Sequence, residues 1–193
     1  VVLIWGGSFI AIEFQLGYVD ETVSVLYRYA ASSFLITIYA FISRKPMFFF
    51  SLKTHFQFVL VGLFFFSANY IFIYKAQTYL TSGAAAITFT MCLFFTQINA
   101  RIFLKTSIGF RTAIGGIIGV VGISLIFRDA IFSIRMDMET LKGVSLILGA
   151  AYIVSLATVV TARITLLRVP VFQANAWAMI YGTIFNVLFV LLF

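Results

Sequence analysis

Charge is scarce in this chain: 10% of its 193 residues are Asp, Glu, Lys or Arg, against roughly 25% in soluble domains. Together with 63% apolar residues and 24 Phe, that scarcity excludes a water-soluble domain and points to a polytopic membrane protein. Histidine, cysteine and proline are nearly absent, at one, one and two residues. The single Cys92 lies in an apolar stretch, so neither an intrachain disulfide nor a thiolate metal cluster can be built. The single His55 falls in a polar link, where it reads as solvated. It leaves no Ser-His or His-cluster arrangement for an intramembrane hydrolase or a haem. No Gly-Lys-Ser/Thr phosphate loop is present, which argues against an ATP-driven pump. The sequence therefore reads as no enzyme, with no cofactor and no metal.

What is present is a succession of apolar runs long enough to cross a bilayer, which takes about 20 residues. Seven are read, over 1–16, 22–42, 56–79, 83–104, 112–127, 141–162 and 171–193. Thr22 is the expected cap of the second, and Ser43-Arg44-Lys45-Pro46 its stop, because proline cannot continue a helix. Met47-Phe48-Phe49-Phe50 between Lys45 and Lys53 suits an interfacial link. In the fifth run Gly115, Gly119 and Gly122 share one face without side-chain bulk, so a neighbouring helix is expected to pack closely there. The 128–140 link mixes both charge signs and has room for a short surface helix. The chain starts at Val1 and stops at Phe193, both inside apolar runs, and reads as a piece of a longer protein.

The net charge of +7 would suggest nucleic acid in a soluble chain. Here the basic residues concentrate in alternate links: Arg44, Lys45 and Lys53; Lys105 and Arg111; Arg163 and Arg168. The positive-inside rule puts those links, and the start of the first helix, in the cytoplasm. Arg128, Arg135 and Lys142 in the fifth link depart from the alternation. Ile147-Leu148-Gly149-Ala150-Ala151-Tyr152-Ile153 repeats the pattern of Ile4-Trp5-Gly6-Gly7-Ser8-Phe9-Ile10, and Trp177-Ala178 answers Tyr29-Ala30. Five crossings separate the two copies, and an odd number reverses direction, so they read as inverted repeats, a common basis of alternating access.

The ordered set Trp5-Gly6, Ile10-Ala11-Ile12, Gln15-Leu16-Gly17, Val23-Ser24, Tyr27-Arg28, Asn69-Tyr70 and Tyr79-Leu80-Thr81-Ser82-Gly83, with the glycine-rich fifth helix, resembles the EamA-type family of the drug/metabolite transporter superfamily. The resemblance implies an all-α bundle of ten helices in two inverted five-helix repeats. Residues 1–127 would be the first repeat, 128–140 the link and 141–193 the truncated start of the second. It implies a secondary carrier of small organic metabolites, amino acids or related compounds, integral to a bacterial inner membrane. The partners implied are a small-molecule substrate and the lipid bilayer, with no nucleic acid. Proton coupling, oligomeric state, substrate identity and direction of transport stay open. Three positions depart from the family pattern: Leu93 where many members have proline, Thr106 where many have an acidic residue, and Glu13 where many have lysine.

A charge at mid-membrane costs roughly 2.5–3.5 kcal/mol on insertion scales, so each is a functional candidate. Glu13 shares a face with Gly6, Ile10 and Gly17. Arg28 shares one with Ser24 and Ser32, could grip a substrate carboxylate with two parallel hydrogen bonds, and is within geometric reach of Glu13. If protons are coupled, Glu13 is the carboxylate inside a helix that could titrate. Lys75 reads as snorkelling to the surface. Asn69 must find partners and could serve packing or substrate. Trp5, Tyr27 and Tyr70 complete the candidate cavity lining. The competing reading is a structural or channel-like subunit, without active transport.

Overall fold

The computed structural model describes residues 2–44, 47, 49–107, 109–126, 128 and 137–192; side chains 2–6, 111–113, 123–124 and 126 are also outside it. Among the described residues the chain is helical throughout, in seven long elements: α1 (Val2–Glu13), α2 (Glu21–Ile42), α3 (Leu52–Gln77), α4 (Ser82–Leu104), α5 (Phe110–Ile126), α6 (Met138–Leu166) and α7 (Val171–Leu192). Five of them, α2, α3, α4, α6 and α7, are long and apolar enough to cross a membrane.

Local chemistry sets the ends. The Asp20 side chain accepts from Thr22 N at 2.8 Å, so Asp20 caps α2 in place of the expected Thr22. Ser51 caps α3 at Leu52, four residues earlier than the sequence suggested, because its hydroxyl accepts from Thr54 N. His55 is thereby in the first turn of a helix and not in a link. Thr81 and Asp137 cap α4 and α6 in the same way, each meeting an orphan amide of the first turn. Arg44, Lys105 and Arg168 close α2, α4 and α6 in the left-handed region. The short surface helix expected in the 128–140 link falls on positions outside the described residues.

Three helices are irregular. α1 stops at Glu13: Gln15 N and Leu16 N share the Ile12 carbonyl, at 2.9 and 3.2 Å, and Gly17 turns the chain at φ +85°. α3 widens into a π turn over Phe64–Ala68, a form often found at functional sites. α4 breaks between Phe89 and Cys92, near the position where the family resemblance puts a proline. Here the Thr90 hydroxyl bonds Ile87 O at 2.6 Å, a local side-chain bond that competes with the helical ladder.

α3 and α6 form the centre. α6 lies against α3 and α4, and α7 against α2 and α3. α1 reaches α4 through the Phe9–Phe89 edge contact at 5.8 Å, and α3 through Gln77 Nε2 to Phe9 O at 3.3 Å. Gly143, at the start of α6, meets Leu80 just beyond the end of α3. Near the other end of α6, Arg163 donates to Phe103 O, close to the end of α4. So α6 runs antiparallel to α3 and parallel to α4.

Close backbone approach occurs where the sequence did not place it. Ideal Cβ atoms at Gly115, Gly119 and Gly122 would meet nothing within 4 Å. Among the described residues that face therefore receives no helix, and the glycine of α5 that faces α4 is Gly116, near Phe94. The tight crossing is between α3 and α7: a Cβ on Gly62 would lie 2.6 Å from Ala178 O, and one on Gly182 would lie 2.7 Å from Phe66 Cβ. Ala174, Ala176 and Ala178 are buried on the same helix, the small-residue seam by which membrane helices pack without a hydrophobic driving force.

Candidate functional site

The early end of α1 leaves a gap beside the first two turns of α2. It is an open cleft of about 710 Å³ lined by Gly7, Ser8, Gln15, Ser24, Tyr27 and Arg28 among others, with Phe14, Tyr18 and Val19 at its mouth. That volume is within the roughly 300–1,000 Å³ of small-molecule pockets. Gln15 reaches the cleft on the same side as Gly7 and Ala11, eight and four residues before it. Arg28 reaches it because Asp20 starts α2 two turns earlier, which puts Ser24 and Arg28 on one face, four residues apart.

Arg28 is half-buried, and its guanidinium carbon sits 4.7 Å above the Tyr70 ring and 5.9 Å from that of Tyr29. Such cation–π contact is worth about 2 kcal/mol when desolvated. The guanidinium also interacts with the Tyr74 hydroxyl, which donates to Gln15 Oε1 at 2.6 Å. Gln15, Tyr74, Arg28, Tyr70 and Tyr29 thus form one chain of contacts from α1 through α3 to α2. Among the described residues no carboxylate pairs with Arg28, so the cation is held by aromatic faces and retains donors for a ligand.

The rear of the cleft is fixed from α7. Thr183 Oγ1 donates within its own helix to Met179 O (2.9 Å) and lies 3.0 Å from Tyr29 O and 3.2 Å from Ser33 Oγ. Ser32 Oγ bonds the Arg28 carbonyl at 2.8 Å. At the mouth, the Thr22 hydroxyl and amide together hold the Asp20 carboxyl below the usual carboxylate range.

The structure brings together Tyr27, Arg28 and Tyr70. Tyr27 is exposed at the rim and Tyr70 buried beneath the guanidinium. Glu13 is not with them: its side chain is exposed and absent from the lining, and its pairing with Arg28 does not form. The reason is helical phase: Glu13 is two residues from both Ala11 and Gln15, which line the cleft, and so lies on the opposite side of the helix. Asn69 is 2% exposed, and its Oδ1 has no partner; it lies just past the π turn, deeper than the cleft. The side chain of Trp5 lies outside the described residues. Sequence reasoning missed Tyr74 as a partner of Arg28 and Gln15 as the acceptor of the Tyr74 hydroxyl. The signal for Gln15 was the Gln15-Leu16-Gly17 run, whose glycine marks where the helix must stop.

His55 is also not solvated as expected. It is half-buried among Phe50, Phe58, Trp177 and Tyr181, with Nδ1 3.0 Å from the Tyr181 hydroxyl.

Comparison with known proteins agrees with this architecture. An uncharacterized transporter of Archaeoglobus fulgidus is 23% identical over 125 residues, 65% of this chain and 44% of that protein. An uncharacterized transporter of Buchnera aphidicola subsp. Schizaphis graminum is 24% identical over 121 residues, 63% of this chain and 40% of that protein. The match thus spans less than half the length of either curated relative. No solved structure matches. The model of the EamA-like transporter family covers residues 1–128, which contain the whole of the α1–α2 cleft and its tyrosine floor, and the chain belongs to that family.

Proposed function

We propose that this chain is part of a secondary carrier that moves small organic carboxylates by alternating access, with the α1–α2 cleft as the substrate site and Arg28 as its anchor. The observation that carries this reading is the half-buried guanidinium over Tyr70, facing a cleft of about 710 Å³ with no carboxylate among the described residues to neutralise it. A planar fork of donors matches a carboxylate bidentately, which an ammonium cannot do. Gln15 and Ser24 supply further polar contacts, and Phe14, Tyr18 and Tyr27 an apolar wall for the substrate body. The pattern shared by 4–10 and 147–153, an odd number of crossings apart, supports two inverted repeats, the first over 1–127. The alternating basic links support a membrane protein whose N-terminal side is cytoplasmic.

The test is counterflow in proteoliposomes containing the full-length carrier, with radiolabelled phenylalanine, lactate and citrate as probes. Saturable, trans-stimulated flux of at least one probe is expected, and its loss in Arg28→Lys and in Arg28→Gln with normal insertion. Equal flux in the variants removes the proposed anchor. Flux that neither saturates nor responds to trans substrate favours a channel-like subunit.

A further inference from the structure

At the far end of α3 from the cleft, the α2–α3 link is fastened to α7 by a compact polar and aromatic contact. Trp177 Nε1 donates to Met47 O at 2.8 Å. His55 Nδ1 lies 3.0 Å from the Tyr181 hydroxyl, and the imidazole is edge-to-face with Trp177 at 4.7 Å. Trp177 and Tyr181 stack at 5.7 Å, one helical turn apart. His55 and Tyr74 are 19 residues apart on α3, about 28 Å of helix, so this contact and the floor of the cleft sit at opposite ends of the bundle. One end is open and the other is fastened.

We propose that Met47, His55, Trp177 and Tyr181 form a latch that closes this end of the bundle and must part when the cleft closes. The inference rests on the alternating-access reading above. α7 supplies the mechanical link, because it carries three features in succession. Trp177 and Tyr181 hold the latch. Gly182 crosses Gly62 at backbone contact, which makes a pivot. Thr183, the next residue along, lies 3.0 Å from the carbonyl of Tyr29, the residue that follows Arg28. A small rotation of α7 about the glycine crossing moves the indole off Met47 and displaces the α2 turn that presents Arg28. The latch consists of ring edges and two hydrogen bonds, contacts that can part and re-form as a unit, whereas the glycine crossing is backbone against backbone and has no slack. Interfaces with two discrete arrangements of this kind are what convert a local change into a change at a distance.

Membrane-impermeant maleimide labelling of Ser24→Cys reads the cleft without any substrate. It would be done on the full-length carrier in liposomes, with Cys92→Ser and any other cysteines replaced, and reagent added on the side to which the cleft opens. Tyr181→Phe keeps the ring and removes one hydroxyl; Trp177→Phe removes the bond to Met47. The labelling rate is expected to fall severalfold in each and further in the double variant, because loosening one end populates the state in which the other is shut. Total labelling after denaturation in detergent should stay equal. Unchanged rates in both single variants overturn the latch, even if the cluster itself loosens, because static packing would not be felt at Ser24. Tyr181→Phe is conservative enough to answer if Trp177→Phe fails to fold. Counterflow that ignores Arg28 would remove the substrate-site reading and leave the labelling result to decide the coupling by itself.

Discussion

The α3–α7 crossing makes a sharp prediction, because the sequence alone points to different glycines. In Gly62→Ala the added Cβ would sit 2.6 Å from Ala178 O, 2.8 Å from Gly182 N and 2.9 Å from Tyr181 Cβ. Carbon contacts settle near 3.5 Å, so the two backbones would have to separate by about 0.8 Å or more, and no flexible side chain stands between them to absorb it. Overpacking of this kind costs about 1–3 kcal/mol, at the upper end here because backbone meets backbone, while glycine to alanine in a helix returns about 1 kcal/mol. The net is a loss of about 2 kcal/mol. Gly115→Ala, Gly119→Ala and Gly122→Ala meet nothing within 4 Å, and each should be neutral or gain up to about 1 kcal/mol from helix propensity. SDS-driven unfolding of the purified chain in detergent micelles, followed by tryptophan fluorescence, measures both. Destabilisation by the α5 alanines with tolerance at Gly62 would refute the packing described here and restore the glycine face of α5 as the principal seam.

Other expectations follow from single contacts. Tyr74→Phe loses the bond to Gln15 and should cost about 1 kcal/mol while weakening Arg28-dependent binding, read as a raised half-saturation constant in counterflow. Asn186→Ala removes a buried donor to Phe66 O in the π turn and should cost about 1 kcal/mol in the same unfolding assay, the worth of one buried hydrogen bond. Asp20→Ala should cost about 1 kcal/mol and Asp20→Asn much less, since both Asp and Asn cap well. The Asp20 carboxyl is held below its ordinary value, so its contribution is complete above the unfolded pKa and disappears as the pH falls through the lower folded one; a melting series from pH 5 to pH 2 should show the difference between wild type and Asp20→Ala closing. Any pH dependence of flux should survive Glu13→Gln, because that carboxylate lies outside the cleft.

How far the fold was legible depended on which physical rule governed each feature. Runs of apolar residues fix the number of helices, because lipid leaves a backbone no other partner, and all seven runs are helical as read. Helix ends were less legible. A cap is one hydrogen bond, and Asp20, Ser51 and Thr81 each stood beside other residues able to make it. Glycine spacing was the least reliable sign. Gly115, Gly119 and Gly122 lie four and three residues apart, as a seam requires, yet among the described residues nothing comes within 4 Å of the place where their side chains would be. Gly62 and Gly182, 120 residues apart, have no local pattern at all. A seam is a property of two helices, and one sequence window holds only half of it.

The same reasoning separates the two ionisable candidates in the first helices. Glu13 and Arg28 were equally visible as charges in apolar surroundings, and both gained interest from the cost of burying a charge. What divides them is the side of the helix each occupies. Glu13 is two residues from both Ala11 and Gln15, which line the cleft, so it lies across the helix from them and is exposed. Arg28 lies two turns into a helix whose neighbour α3 presents Tyr70 and Tyr74 to it, so its charge is partly removed from water and compensated by rings and a hydroxyl in place of a carboxylate. Had Glu13 paired with it, the cleft would hold a neutral, closed ion pair with little to offer an anion. The early stop of α1 leaves the volume open beside α2. On this account, extending α1 by one regular turn through Gly17→Ala should reshape the cleft wall at residues 14–17 and lower carboxylate counterflow with Arg28 still in place. Undiminished flux in that variant would mean that the helix end does not govern access to the guanidinium.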